Sequence, residues 1–255
     1  MGEERVRRHG RVLECVIATK GNGSSLDADA VREATVALTT LAREQWAGCV
    51  LLASDGPNFC TGGNVRAFAA AEDRGAYVGA VAREFHDLVR AIARTQVPVV
   101  AAVHGWAAGA GMSLVCVCDI AIGGPGTRLR PGYPAIGLSP DGGLSWTLPR
   151  IVGIARARDI LLTDRVLTGD EALAAGLLGR LVPDERIAAE ARATAESLAA
   201  GPTTAYQHIK RLLGKSGHAH LGEHLAAEAE SIAACAASPA GRAGVDAFVA
   251  RRAGR

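Results

Sequence analysis

Short, almost continuously apolar segments recur in the first half of the chain, and each is followed by a glycine-containing turn and then by a helical pattern. The clearest are residues 49–54 (CVLLAS) and 97–103 (VPVVAAV). Strands of this composition are typical of parallel sheets that are buried on both faces, because helices cover both sides. Their alternation with helices predicts an α/β layered fold.

Hydrophobic periodicity extends this prediction along the chain. Further strands are predicted at residues 11–19 and 119–122, and helices with apolar side chains at helical spacing at residues 27–43 and 77–93. From about Asp184 onward the pattern changes to alanine-rich helix with little strand. We therefore predict a core formed by residues 1–190 and a C-terminal helical segment formed by residues 191–255.

Charge and composition narrow the functional classes. The 255 residues include 28 Lys and Arg and 26 Asp and Glu, a net charge of +2 that predicts no nucleic-acid partner. The clustered arginines in residues 5–8 and 251–252 are predicted to be solvated ends. The sequence has no apolar core of signal-peptide type and no apolar run of membrane-spanning length. We expect a cytoplasmic protein without a membrane partner.

The six cysteines do not indicate bridges or a metal. Most lie within apolar runs, where cysteine behaves as a small hydrophobic residue. Cys116 and Cys118 lack a second Cys or His pair at zinc spacing, so no metal site is predicted. Cys60 borders a glycine pair but has no nearby histidine in sequence, which argues against a nucleophilic role.

Two glycine turns have the same context of strand, turn and helix. Residues 58–64 (NFCTGGN) follow the strand at 49–54, and residues 104–111 (HGWAAGAG) follow the strand at 97–103. Glycine allows a ligand to approach the main chain, and the first N–H groups of a helix have no partner within the helix. Two such turns side by side could aim two amides at one carbonyl oxygen, forming an oxyanion hole. They could equally be ordinary connections of an α/β protein.

Four segments resemble the signatures of the enoyl-CoA hydratase/isomerase, or crotonase, superfamily. They are residues 58–64, 103–120 (VHGWAAGAGMSLVCVCDI), 136–153 (IGLSPDGGLSWTLPRIVG) and 161–182 (LLTDRVLTGDEALAAGLLGRLV). The resemblance runs in order over about residues 10–215. It implies a crotonase-like spiral of ββα units with the C-terminal helical segment covering coenzyme A and forming a homotrimer or a dimer of trimers.

The same resemblance implies a substrate and a site. The substrate is an acyl-CoA thioester, with coenzyme A as part of the substrate and no separately bound cofactor. The N–H groups of Gly63 and Ala110 then form the oxyanion hole. This agrees with the first interpretation of the two glycine turns.

The sequence departs from the hydratase pattern at both catalytic glutamates. The resemblance places Ser113 and Tyr133 at the two positions. Neither a hydroxyl nor a phenol with a pKa of about 10 acts as a carboxylate base near neutral pH. Ordinary two-glutamate hydration is therefore not expected. Ser113 and Tyr133 remain candidates for substrate binding.

Asp141 lies in the stretch GLSPDGGLSW, and its sequence context alone is that of a turn residue. In isomerase and aryl-CoA dehalogenase branches of the superfamily, an aspartate at this place faces the acyl group. We predict an enoyl-CoA isomerase in which Asp141 is the acid/base. In the dehalogenase alternative Asp141 is a nucleophile, and the candidate supporting residues are His86, Trp106 and Trp146. Another lyase or hydrolase, or a non-catalytic acyl-CoA-binding protein, also stays open.

The resemblance also implies contacts to coenzyme A. Main-chain contacts are expected near residues 23–26 and at Gly62, and side-chain contacts from Lys210, Phe248 and Arg251. Solvent-exposed cations are the alternative for the two basic residues. His104 is predicted to be structural, and Asn64 to cap the following helix.

Overall fold

The chain forms a six-stranded sheet with helices on both faces. A computed structural model describes residues 4–253. The sheet has the order β1-β2-β3-β4-β6-β9, where its strands are β1 (Val6–His9), β2 (Val12–Ala18), β3 (Cys49–Ser54), β4 (Val99–Ala102), β6 (Ile120–Gly123) and β9 (Arg180–Leu181). β1 is antiparallel to β2, and all other neighbouring pairs are parallel. The four strands predicted from apolar runs are confirmed as β2, β3, β4 and β6.

The protein has a second, smaller sheet of three strands. It has the order β5-β7-β8 and consists of β5 (Trp106–Ala108), β7 (Arg128–Arg130) and β8 (Leu167–Thr168). The sequence patterns did not predict these strands, which have two or three residues each and are too short to show a periodicity.

Eleven α-helices are present in residues 4–253. They are α1 (Ala28–Glu44), α2 (Val65–Ala70), α3 (Arg74–Arg94), α4 (Ala110–Val117), α5 (Leu144–Val152), α6 (Ile154–Leu162), α7 (Gly169–Ala174), α8 (Ile187–Ala200), α9 (Thr203–Ser216), α10 (Leu221–Ala237) and α11 (Pro239–Ala253). The two predicted helices correspond to α1 and α3. Asn64 caps α2 as predicted, because its Oδ1 accepts the N–H of Ala67 at 3.1 Å. None of the helices in this part of the chain is long and apolar enough to cross a membrane.

Successive side chains of each strand enter different cores, because they point to opposite faces of the sheet. Val12 of β2 packs in a cluster with Ile187 and Ala191 of α8. Leu13, the next residue, belongs to the larger cluster that includes Val31 of α1. Burial on both faces explains why β3 and β4 are apolar without alternation.

The predicted division at residue 190 falls inside α8, whose apolar face packs on the main sheet. Beyond α8, the described part of α9–α11 contributes one buried side chain, that of Ser231. The described residues of the predicted C-terminal segment form helices joined by short connections, as predicted.

The prediction for the N-terminal arginines is wrong for Arg5 and Arg7, which are only partly exposed, whereas Arg8 is exposed. Residues 6–9 form β1, and the guanidinium of Arg7 lies 3.3 Å from Glu14 and 2.5 Å from Asp55. Glu14 is only 3% exposed and also contacts Arg192 at 2.5 Å. A buried carboxylate is strongly unfavourable without cationic partners, so this arginine is held against the sheet instead of being solvated.

Helix α4 lies unusually close to the segment that follows β3. A Cβ atom on Gly111 would lie 3.0 Å from both the carbonyl carbon and the Cβ of Cys60, and deep inside contact distance of the Cys60 carbonyl oxygen. Because the conflict is with backbone atoms, a side-chain rotation cannot relieve it. Glycine at position 111 therefore sets the distance between the helix and this segment.

We expect Gly111→Ala to lower the free energy of unfolding by about 1–3 kcal/mol, the usual cost of overpacking. Gly214→Ala is the matched control, since Gly214 also lies in a helix but has no atom within 4 Å of a Cβ at that position. The control should raise stability by about 0.5–1 kcal/mol, because alanine favours helix. Urea unfolding of both variants measures the difference. Equal effects would contradict the packing argument.

Candidate active site

The two glycine turns predicted from the sequence are joined by main-chain hydrogen bonds. The N–H of Cys60 donates to the carbonyl of Trp106 at 3.0 Å, and the N–H of Ala108 donates to the carbonyl of Cys60 at 2.8 Å. The N–H of Phe59 donates to the carbonyl of His104 at 2.8 Å. The first turn thus pairs in parallel with β5, and its position is fixed by the start of the second.

The orientation of two peptide groups follows from their carbonyl partners. The carbonyl of Gly62 accepts the N–H of Leu26 at 2.8 Å. All described peptide bonds are trans, so the N–H of Gly63 lies in the same peptide plane and points in the direction opposite to this carbonyl. The carbonyl of Gly109 accepts the N–H of Ser113 at 3.1 Å, and the N–H of Ala110 therefore points away from α4.

These two peptides are neighbours in space. A Cβ on Gly109 would lie 3.4 Å from the Cα of Gly62. Gly62 and Gly109 have φ values of +100° and +54°, which suit glycine. Gly62, Gly63 and Ala110 all border the same cavity. The arrangement can present two main-chain donors to one ligand oxygen.

This central cavity has a volume of about 240 Å³ and a largely apolar wall. Its apolar side chains come from four places: Leu26, then Val65 and Phe68 of α2, then Val78, Val81, Ala82 and Phe85 of α3, then Ile136 and Leu138. Asp141 is the acidic side chain among the described lining residues. Sequence reasoning did not find this wall, although the spacing of residues 78, 81, 82 and 85 on one helix face was a usable signal.

Asp141 is held by a hydroxyl network. The Tyr133 hydroxyl donates to its Oδ1 at 2.7 Å, while the described residues supply no hydrogen bond to Oδ2. Ser113 Oγ lies 3.3 Å from the Tyr133 hydroxyl and donates to the main-chain carbonyl of Asp141 at 3.1 Å. Burial, and secondly the adjacent carboxylate, raise the pKa of Tyr133, so its phenol stays protonated and remains a donor.

The turn after Asp141 is also held by a hydrogen bond to His86. The N–H of Gly142 donates to Nε2 of His86 at 3.1 Å, which requires this nitrogen to be unprotonated. Gly142 and Gly143 have φ values of +59° and +78°. Asp141 is therefore a turn residue, as its sequence context predicted, and it also lies on the wall of the central cavity.

Of the predicted site residues, the structure brings Asp141, Gly63, Ala110, Gly62 and Tyr133 together around the central cavity. Ser113 does not line the cavity and lies behind Tyr133, completely buried.

Two predicted substrate-binding residues lie away from this cavity within the single chain. Lys210 donates to Oδ2 of Asp119 at 2.6 Å and to the carbonyl of Val97 at 3.0 Å. Phe248 is half exposed on α11, with the guanidinium of Arg252 over its ring.

The remaining candidates have other surroundings. Trp106 and Trp146 are exposed and lie outside the lining of the central cavity, and Arg150 stacks on Trp146. Nε2 of His104 lies 2.8 Å from the carbonyl of Gly56, a structural contact. Burial raises the pKa of Cys60 to about 12, which keeps it a thiol and agrees with the expectation that it is not a nucleophile. Within residues 4–253 no cluster of His, Cys, Asp or Glu side chains could hold a metal ion.

Comparisons with known proteins show the family to which the chain belongs. The sequence profile of the enoyl-CoA hydratase/isomerase family matches residues 11–255. A protein of Rhodobacter capsulatus named "probable enoyl-CoA hydratase" is 35% identical over 90% of this chain and 88% of its own length. The 1,2-epoxyphenylacetyl-CoA isomerase of Escherichia coli is 34% identical over 84% of this chain and 83% of its own.

More distant relatives extend the range of chemistry. A 4-chlorobenzoyl coenzyme A dehalogenase of Arthrobacter is 28% identical over 82% of this chain and 83% of its own. The crystal structure of a Mycobacterium abscessus protein described as a "putative Enoyl-CoA hydratase/isomerase" superposes with a TM-score of 0.91 at 31% identity, covering 96% of both chains. The chain belongs to the enoyl-CoA hydratase/isomerase family. It is an enzyme of the crotonase superfamily, with the fold that the sequence resemblance predicted.

We expect Gly142→Ala to displace the Asp141 turn. A Cβ at this position would lie 2.8 Å from the Cβ of Ser113 and inside contact distance of the Phe85 ring. Gly143→Ala is the control, because its φ is also positive but no atom lies within 4 Å. Urea unfolding should show a cost of about 1–2 kcal/mol for the control and about 1–3 kcal/mol more for Gly142→Ala. Equal costs would show that the backbone conformation alone matters.

Proposed function

We propose that this enzyme is an isomerase that shifts the double bond of an enoyl-CoA thioester. The observation that carries the proposal is a single carboxylate, Asp141, with one oxygen available to a ligand in an apolar cavity that two main-chain N–H groups also border. A double-bond shift needs one mobile base and one stabilised anion. Both requirements match this set of groups.

In the proposed reaction Asp141 Oδ2 removes a proton from the α carbon of a 3-enoyl-CoA. The C–H bond breaks, an O–H bond forms, and the electron pair spreads over a dienolate whose negative charge lies largely on the thioester oxygen. The N–H groups of Gly63 and Ala110 stabilise that oxygen. Asp141 then returns the proton to the γ carbon, which leaves the double bond between the α and β carbons.

Tyr133 has a supporting part in this proposal. Its phenol donates to Oδ1 of Asp141 and so directs Oδ2 toward the ligand. Because its pKa is raised, the phenol of Tyr133 stays protonated. It therefore cannot accept the substrate proton in place of Asp141. Ser113, which is buried behind Tyr133, has no direct path to the substrate.

The same two residues argue against two-glutamate hydration. Addition of water to a conjugated double bond needs a base for the water and an acid for the α carbon. The resemblance assigns these roles to the positions of Ser113 and Tyr133, and neither side chain provides a carboxylate. The hydratase names of several relatives therefore do not transfer to this chain on the residues present.

Dehalogenation is the second candidate, favoured by the named dehalogenase relative and by the position of His86 beside the Asp141 turn. In that reaction Asp141 attacks an aromatic carbon, halide leaves, and water must then hydrolyse the aryl ester. His86 is poorly suited to activate that water through Nε2, since this nitrogen already accepts the N–H of Gly142. We therefore rank isomerisation first.

The coenzyme A contacts belong to a proposed oligomer. In a homotrimer or dimer of trimers, Lys210 and Phe248 would contact the coenzyme A bound by a neighbouring subunit, as the resemblance implies. Within one chain Lys210 is paired with Asp119. Other lyase or hydrolase chemistry and non-catalytic acyl-CoA binding remain the alternatives that a substrate panel separates.

Asp141→Asn tests the proposed base. We expect kcat for 3-enoyl-CoA isomerisation to fall by about 10²–10⁴, because the amide cannot accept the proton. The dissociation constant of a saturated acyl-CoA should stay unchanged, since the oxyanion donors and the apolar wall are intact. Full turnover by this variant would exclude Asp141 from the mechanism.

Ala110→Pro tests the proposed oxyanion hole. Proline at the first position of a helix is tolerated but removes the N–H of residue 110. Loss of one oxyanion donor should lower kcat by about 10²–10³. Ala110→Ser, the matched control, keeps the N–H and should retain most of the activity. Similar rates for the two variants would contradict the assignment.

A further inference from the structure

Three apolar cavities meet at one aromatic side chain. The central cavity shares Phe68 with a cavity of about 160 Å³ between α1 and α3, which we call the α1–α3 cavity. It also shares Phe68 with an outer cavity of about 370 Å³ beside Arg74 and Ile136, which we call the rim cavity. Phe68 is the one residue that borders all three cavities in the described part of the chain.

The ring of Phe68 is held by two contacts. Its tip lies so close to Gly63 that a Cβ on Gly63 would be 2.7 Å from Cζ of the ring. Its side contacts Tyr77 edge to face, with ring centroids 6.2 Å apart. The ring therefore stands directly next to the position where the thioester would bind.

The helix that carries Phe68 is weakly packed. α2 has six residues, none of which is buried, and it is capped at its start by Asn64. A segment with little buried apolar surface is stabilised mainly by local contacts. Changes at Phe68 should consequently alter the cavity without unfolding the core.

The α1–α3 cavity can accept an apolar chain. It shares Leu26, Gly63, Val81 and Phe85 with the central cavity, and Val31 adds to its wall. Its acidic member, Glu84, is bonded to Arg32 at 3.3 Å. Its remaining wall is mainly apolar, so the end of a longer acyl chain would be buried there.

We infer that Phe68 is a specificity-determining residue, which limits the natural substrates to short or compact acyl groups by separating the central cavity from the α1–α3 cavity. The inference rests on the proposed function for the position of the thioester. A longer acyl chain has to displace the ring from Gly63. Removal of the ring joins the two cavities and gives additional methylene groups an apolar surface to contact.

The test compares wild type, Phe68→Ala and Phe68→Leu on two series of esters. The first series is 3-enoyl-CoA from hexenoyl to hexadecenoyl, for which kcat/KM is measured. The second is the matching saturated acyl-CoA, for which the dissociation constant is measured by calorimetry. For each newly buried methylene group, Phe68→Ala should have a kcat/KM about fourfold higher and a dissociation constant about fourfold lower than wild type. The reason is that burial of CH₂ contributes about 0.8 kcal/mol.

Val65→Ala is the matched control. It shortens a side chain on the same helix that borders the central and rim cavities but not the α1–α3 cavity. We expect the wild-type ranking of chain lengths for this control, a shift to longer chains for Phe68→Ala, and an intermediate shift for Phe68→Leu. Thermal melting of each variant verifies that it is folded.

The outcomes separate this inference from the proposed function. A shift in the dissociation constants without turnover of any enoyl-CoA would support the role of Phe68 and overturn the isomerase proposal. Turnover with the same chain-length ranking in wild type and Phe68→Ala would overturn the role of Phe68 alone. The same shift in Val65→Ala would also overturn it, and absence of binding by every ester would overturn both.

Discussion

The main-chain pairing between the two glycine turns is the constraint on which the candidate site depends. The Cys60 segment forms hydrogen bonds with β5, and the absence of a Cβ on Gly111 allows α4 to approach it. The bond from Leu26 to Gly62 then fixes the direction of the next peptide. Both candidate donors are backbone atoms. Their geometry is therefore built by the fold itself, and it is insensitive to most side-chain changes around it.

The proposed acid–base group, Asp141, is constrained in a different way. Asp141 lies in a turn that is bonded on one side to His86 through Gly142, and on the other to Tyr133 and Ser113. This network occupies Oδ1 and the main-chain carbonyl, and the described residues leave Oδ2 without a hydrogen bond. Tyr133 and Ser113 occupy the positions that the resemblance gives to the glutamates of a hydratase. The two hydroxyl side chains at these positions and Asp141 are therefore connected in one hydrogen-bond network.

Part of this architecture could be predicted from the sequence. Strands that are buried on both faces, such as β3, have an almost continuously apolar sequence, which made them recognisable. The motifs around Gly63, Ala110 and Asp141 are specific to the family. Strand β1 was missed because its arginines look solvated in the sequence, whereas in the structure Arg7 pairs with Glu14 and Asp55. Phe68 was missed because an apolar residue at helical spacing has the same pattern whether it faces a core or a cavity. Asp141 also illustrates this limit, since its turn residues do not show which way the carboxylate points.

Gly63 connects the two parts of the proposed site, and its role is not conformational. The φ of Gly62 is +100°, which explains the glycine there, whereas Gly63 is not among the residues with positive φ. The atom nearest to a Cβ at position 63 would be Cζ of the Phe68 ring, at 2.7 Å, so the ring would have to move. A side chain at position 63 would push the ring toward the neighbouring cavities and narrow the approach to the main-chain N–H. The absence of a side chain at position 63 therefore has two proposed effects. It leaves room for the thioester oxygen, and it allows the Phe68 ring to lie where it limits the length of the acyl chain.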